Sequence, residues 1–127
     1  MSDVSAALQR MAPADREKVE VALVTIDPER DTGPKVAGFV DHFVPDGGHG
    51  LRAPDDSNLW TSTSRLGVEY KVDPHQPGSS YGVSHTGYQY LLDDQGRAVW
   101  VWPYGTPSKD LAATLTALVR GETPAIV

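Results

Sequence analysis

Residues 19–26 read VEVALVTI, a nearly continuous apolar and β-branched run. A run of this kind, without the alternation of a half-buried strand, is the pattern of a strand covered on both faces, as in parallel sheets with helices on each side. Parallel strands cannot be joined by a tight turn; they need a longer crossover, usually a helix. The run therefore points to an α/β fold, and its neighbours supply the helices.

Residues 2–11 have helical spacing, with Ser2 or Asp3 as cap and Val4, Leu8 and Met11 on one face; Pro13 and the charged residues 15–18 end this helix. After the run, residues 27–32 form a polar turn in which Asp31 or Thr32 can cap a helix striped by Val36, Phe39, Val40 and Phe43. Residues 44–54, with Gly47, Gly48, Gly50 and two prolines, read as a mobile loop holding at most a short strand near Leu51. Asp55 or Asp56 then caps a helix through Leu59, Trp60, Thr63 and Leu66, which Gly67 can close in the left-handed conformation. Residues 68–72 suit a short strand, and 73–80 (DPHQPGSS) a turn-rich excursion.

Residues 83–102 (VSHTGYQYLLDDQGRAVWVW) predict a β-hairpin entered through His85 and closed by the turn Asp93-Asp94-Gln95-Gly96. Alternation puts His85, Gly87, Gln89 and Leu91 on one face and Thr86, Tyr88, Tyr90 and Leu92 on the other, with Val99 and Val101 opposed to Trp100 and Trp102. Thr106 and Pro107 start a last helix striped by Leu111, Leu115 and Leu118 and stopped by Gly121, and residues 122–127 read as a frayed tail.

At 127 residues the chain is expected to form a single domain. Eleven basic against seventeen acidic residues, with no basic run interleaved by aromatics, argue against a nucleic-acid partner. Cysteine is absent, which excludes disulfides, zinc thiolates and thiol chemistry for this chain. There is no membrane-length apolar run and no secretory signal pattern, so localisation is unknown from these residues.

Helix, parallel strand, helices, antiparallel hairpin and closing helix give most of a thioredoxin-like layout. A crossover helix needs a strand before it, yet only Met1 precedes Ser2. The expectation is an α/β, thioredoxin-like sheet with flanking helices, a C-terminal hairpin and helix, and its first central strand missing.

The stretch Val24-Thr25-Ile26-Asp27-Pro28-Glu29-Arg30-Asp31-Thr32 resembles the V-S-V-D-P-E-R-D-T signature of the SCO/SenC family, thioredoxin-like copper chaperones of cytochrome c oxidase assembly. Residues 83–97 resemble the family's V-D-H-S-x-x-x-Y-L-x-D-x-x-G-R, and residues 66–70 its Y-G-V-x-Y. The resemblance implies copper as cofactor, held by two cysteines of a C-x-x-x-C-P motif and a distal histidine. That histidine falls on His85, while the cysteines have no counterpart here. It further implies a metallochaperone rather than an enzyme, a copper-bearing oxidase subunit as partner, and a membrane-anchored, extracytoplasmic location. The family's motif follows its first strand, which would lie between residues 21–26 and 87–92. The chain is therefore expected to be incomplete at its N-terminus, with impaired copper binding and an open sheet edge through which copies could associate. The alternative is a copper-independent interaction domain contacting an oxidase subunit or a sister chain through the hairpin face.

Other constellations have plainer readings. His42, His49 and His75 lack metal-ligand spacing and read as surface histidines. Met11 has the spacing of a core residue. Asp27, Glu29 and Asp31 could hold a hard cation or do acid–base work, but a strand-to-helix turn with Arg30 pairing locally explains them as well. Trp60, Trp100 and Trp102 suit core and half-exposed sheet positions, with Trp102 and Tyr104 offering an alternative docking patch.

Overall fold

The computed structural model describes residues 1–85 and 87–124, and at Ser84 and His85 the backbone alone. The expected fraying of residues 122–127 therefore lies partly outside the described residues.

Helix α1 (Ser2–Arg10) buries Ala7 and Leu8, and Met11 follows it into the core. Pro13 does more than end α1: with Ala12 extended before it, it opens a one-turn helix α2 (Pro13–Arg16), since its fixed φ suits a first helical position. Asp15 is buried there and receives a fork from Arg120, with Nε 3.2 Å from both carboxylate oxygens and Nη2 2.7 Å from Oδ2.

The apolar run yields a short strand, β1 (Val21–Val24), which corrects the expectation of burial on both faces. Val21 and Leu23 pack against the core, whereas Ala22 and Val24 face outward and Val24 is 43% exposed. Helix α3 (Gly33–Phe43) starts where expected: Thr32 Oγ1 accepts from the Lys35 amide, and Val36 and Val40 are buried. Strand β2 (Gly48–Leu51) then runs parallel to β1 in the register Val21↔Gly48 to Val24↔Leu51. The short strand expected near Leu51 thus reaches back to Gly48, and only its flanks, residues 44–47 and 52–54, are loop. Its glycines serve close packing, because a Cβ at Gly50 would lie 2.7 Å from the Ala37 nitrogen and the Val36 carbonyl carbon of α3.

Asp55 Oδ1 accepts from the Asn58 amide at 2.8 Å and caps α4 (Asp56–Arg65), which carries the fully buried Leu59 and ends before Gly67 at φ +71°. That capping bond holds the Asp55 carboxyl below its usual range. Strand β3 (Tyr70–Val72) pairs antiparallel with β4 (Val83–His85). His85 consequently ends a separate strand and does not belong to the hairpin, which consists of β5 (Tyr88–Leu92) and β6 (Ala98–Pro103) with a bulge at Leu91/Leu92. Its faces are those expected: Leu91 and Trp100 pack on the core with buried Trp102, while Tyr88, Leu92, Val99 and Val101 are exposed. Asp93 fastens the turn, accepting from the amides of Gln95 and Arg97 at 2.9 Å each, and Gly96 takes φ +78°. Helix α5 (Ser108–Val119) follows Pro107; Thr106 does not cap it, because its hydroxyl donates to the Pro103 carbonyl at 2.7 Å.

The core joins α1 to α5, with Val40 and Val44 from the end of α3 and Trp102 from β6. Both β1 and the hairpin pack against this cluster, yet β1–β2 and β5–β6 are separate two-stranded sheets. Among the described residues no strand pairs with both of them. The amides of Val21 and Thr25 donate toward β2, at 2.7 Å to Gly47 and 3.1 Å to Leu51. By alternation the backbone groups of Ala22 and Val24 face the open side.

Candidate functional site

The turn after β1 is built by its own polar side chains. The Thr25 hydroxyl donates to Asp31 Oδ2 at 2.5 Å and accepts from the Asp27 amide at 3.0 Å. Arg52 braces the turn from outside, its Nε donating to the carbonyls of Pro28 (3.0 Å) and Asp31 (3.1 Å). Inside it Asp27 is 4% exposed, with Arg30 Nε 3.1 Å from its Oδ2. Asp27 and Asp31 are thus engaged in holding the turn, and a cation-binding role for the acidic trio gains no support.

Asp27 also reaches across the chain. The Tyr81 hydroxyl donates to Asp27 Oδ2 at 2.7 Å, and this bond, with burial and the carboxylate charge, pushes the phenol up to about 12. Arg30 lies over the Tyr81 ring, 4.5 Å from its centroid, and His75 stacks parallel to that ring at 3.6 Å. His75 Nδ1 is 2.8 Å from the Asp73 carbonyl oxygen and Nε2 is 2.8 Å from Glu29 Oε2. Its side chain is only 12% exposed, which corrects the reading of His75 as a surface histidine. Sequence offered no spacing signal for this cluster, since its two halves lie some fifty positions apart.

A pocket of about 490 Å³ opens beside the cluster, lined by residues 26–29 from the turn, Asp56, Tyr70, and residues 72–75. Tyr70 stands directly opposite His85 in the β3–β4 ladder. The backbone thus places His85 at the end of β4, while its side chain lies outside the described residues, as does Thr86. The other histidines are elsewhere: His42 meets the Phe43 ring edge-on, and His49 pairs with Glu20 at 3.1 Å. Trp60 is 60% exposed on α4, contrary to the expectation of a core or sheet residue, and leans toward Tyr70. Trp102 is buried and Tyr104 is 86% exposed, so the two do not form one patch.

Helices against paired strands, a parallel β–α–β unit, an antiparallel hairpin and a closing helix define an α/β protein of the thioredoxin-like class. The chain belongs to the SCO1/SenC family, whose model matches residues 1–120. Solved structures similar to it include three Sco proteins. Copper-bound ScoI of Arabidopsis thaliana is 21% identical with a TM-score of 0.77, over 94% of this chain and 72% of that one. Copper-bound ScoI of Bradyrhizobium japonicum is 29% identical with a TM-score of 0.73, over 90% and 70%. Apo Sco1 of Thermus thermophilus, seen in solution, is 24% identical with a TM-score of 0.77, over 92% and 69%. A comparison with curated protein sequences finds no match.

The residues present do not fit a thiolate copper site. Cu(I) is selected by soft sulfur ligands, the chain has no cysteine, and Met11 is buried in the core. Among the described residues no group of three histidine or acidic side chains could hold a metal ion.

Proposed function

We propose that this chain is a copper-chaperone relative serving the copper centre of cytochrome c oxidase, acting by binding rather than by turnover, with His85 the one ligand it contributes. The observation that carries this reading is the convergence of the family-like stretches. Tyr70, which ends one stretch and opens β3, pairs with His85 of another, and the segment leading into β4 bonds to the Asp27 turn through Tyr81. Since the soft ligands are lacking, metal affinity in this chain is weak, and thiolates must reach His85 from another segment. By the same family reasoning the chain is one domain, its partner is the copper-bearing oxidase subunit, and its place is outside the cytoplasmic membrane. Among the described residues no helix is long and apolar enough to cross a membrane.

A Cu(I) competition titration tests this on the chain and on a version extended upstream by a strand and C-x-x-x-C-P, each with and without His85→Ala. Tight binding in the extended version alone, weakened by the substitution, is the expected result. Failure of the extended version to bind, or binding indifferent to His85, overturns it.

A second reading, a copper-independent interaction domain, draws on the exposed outer face of the hairpin. Tyr88, Val99 and Val101 are each about half exposed there, at 52%, 49% and 45%. Binding of an oxidase subunit or a sister chain that Val99→Lys abolishes, in the absence of copper, would favour it.

A further inference from the structure

His75 has an acceptor at each end of its ring, the Asp73 carbonyl at Nδ1 and the Glu29 carboxylate at Nε2, both at 2.8 Å. A neutral imidazole carries one N–H, so it can satisfy one of these oxygens while its other nitrogen turns a lone pair toward the second. The imidazolium donates to both. The charged surroundings point the same way. Glu29 and Asp27, from the turn after β1, both favour the cation, and Asp56 of α4 lines the adjoining pocket. Arg30 is the opposing positive charge, and it is already paired with Asp27. Tyr81, stacked on the ring, donates its own proton to Asp27 and carries no charge near neutrality.

These contacts join two pieces of chain that no sheet joins among the described residues. The β3–β4 connection is closed at its base by the Asp73 amide donating to the Gly82 carbonyl at 2.9 Å. Among the described residues, its hydrogen bonds to the turn after β1 come from two side chains, Tyr81 and His75. The next residues are β4 and His85.

We infer that His75 is a protonation-dependent latch, which as the imidazolium fastens the β3–β4 connection to the turn after β1 and as the neutral ring releases it, so that pH sets how firmly the His85-bearing strand is held. Its link to copper rests on the function proposed above; the latch itself does not. The Asp73 carbonyl, then Glu29 and Asp27, raise the His75 pKa above its ordinary 6.5, against the effect of burial. A raised folded-state value means that the stabilisation is fully present below 6.5 and is lost as pH rises through the raised value. The latch is closed on the acid side and opens on the alkaline side.

The test uses the metal-free chain. Histidine ring protons followed by NMR give the His75 pKa, and amide hydrogen exchange, corrected for its intrinsic pH dependence, gives protection of β3–β4, with β5–β6 as internal reference. The expected result is a His75 pKa above 6.5 and a loss of β3–β4 protection as pH rises from 6.5 through that value, about tenfold for each unit of displacement. Glu29→Gln should move both to lower pH, and His75→Gln should leave β3–β4 protection flat. A pKa at or below 6.5, or β3–β4 protection that ignores the His75 titration, overturns the latch. Because no metal is present, this outcome is independent of the copper titration: either proposal can fail while the other stands.

Discussion

The Tyr81 hydroxyl donates to Asp27 Oδ2 at 2.7 Å, tying the approach to β4 to the turn after β1 across 54 positions of sequence. The bond needs the protonated phenol beside the carboxylate, which is why the phenol is held up at about 12. The sign follows: the contribution of neutral Tyr81 is intact below the ordinary tyrosine value of 10 and is lost as pH rises through about 12. Burial also raises Tyr70 and Tyr90, so absorbance titration of the phenols should show several late steps, of which the latest, at about 12, is missing in Tyr81→Phe. Retention of that latest step in the variant would assign it elsewhere.

The Asp15–Arg120 fork makes the opposite prediction. The Arg120 hydrogen bonds hold the Asp15 carboxyl below its ordinary 3.8. Its stabilisation is therefore present above 3.8 and disappears as pH falls through the lowered value. Asp15→Asn should lower the melting temperature at neutral pH and narrow the gap to the parent in acid. An equal difference at every pH would show that the charge is not what matters.

Gly50→Ala tests why β2 is glycine-rich. The added methyl would meet the α3 backbone at 2.7 Å, where neither partner is a flexible side chain. Overpacking of this kind costs about 1–3 kcal/mol, measurable as a lower urea midpoint with unchanged slope. Unchanged stability would mean that α3 is free to move outward.

Gln89 and Trp102 are opposite one another in the β5–β6 ladder, and each has a buried polar atom, Oε1 and Nε1, with no hydrogen-bond partner among the described residues. An unsatisfied buried acceptor costs about 1–3 kcal/mol, and removing it can stabilise. Gln89→Leu is expected to keep or raise the melting temperature. A clear fall would identify Gln89 as satisfied in solution.

Features written into neighbouring residues were legible in the sequence. Helices α1, α3 and α4 carry their period and stops locally; Thr32 and Asp55 cap as the residues suggested, and Gly96 closes its turn. What depends on a distant element was not. Gly48 and Gly50 looked mobile because the helix that packs onto them is invisible in their own stretch. The alternation of residues 83–92 runs on without a break, so nothing local shows that residues 83–85 choose β3 as partner. Likewise, a β-branched run records apolarity and not whether a helix arrives on its second face, which is why Val24 proved exposed. At the candidate site, resemblance flagged both the Asp27 turn and His85, but the His75–Tyr81 stack joining their neighbourhoods has no linear signature.

The packing of α1 against α5 also bears on how the chain is made. The two helices stand at opposite ends of the sequence, and the Asp15–Arg120 fork beside them spans 105 positions. Contacts between distant residues form late, because a long loop must close first. During synthesis α1 leaves the ribosome well before α5, with the face that α5 covers still open. The hairpin and the α3–β2 unit can assemble meanwhile from local contacts, but this core closes only when α5 arrives. A nascent chain stopped short of α5 therefore presents the surface of α1 to chaperones and to its neighbours.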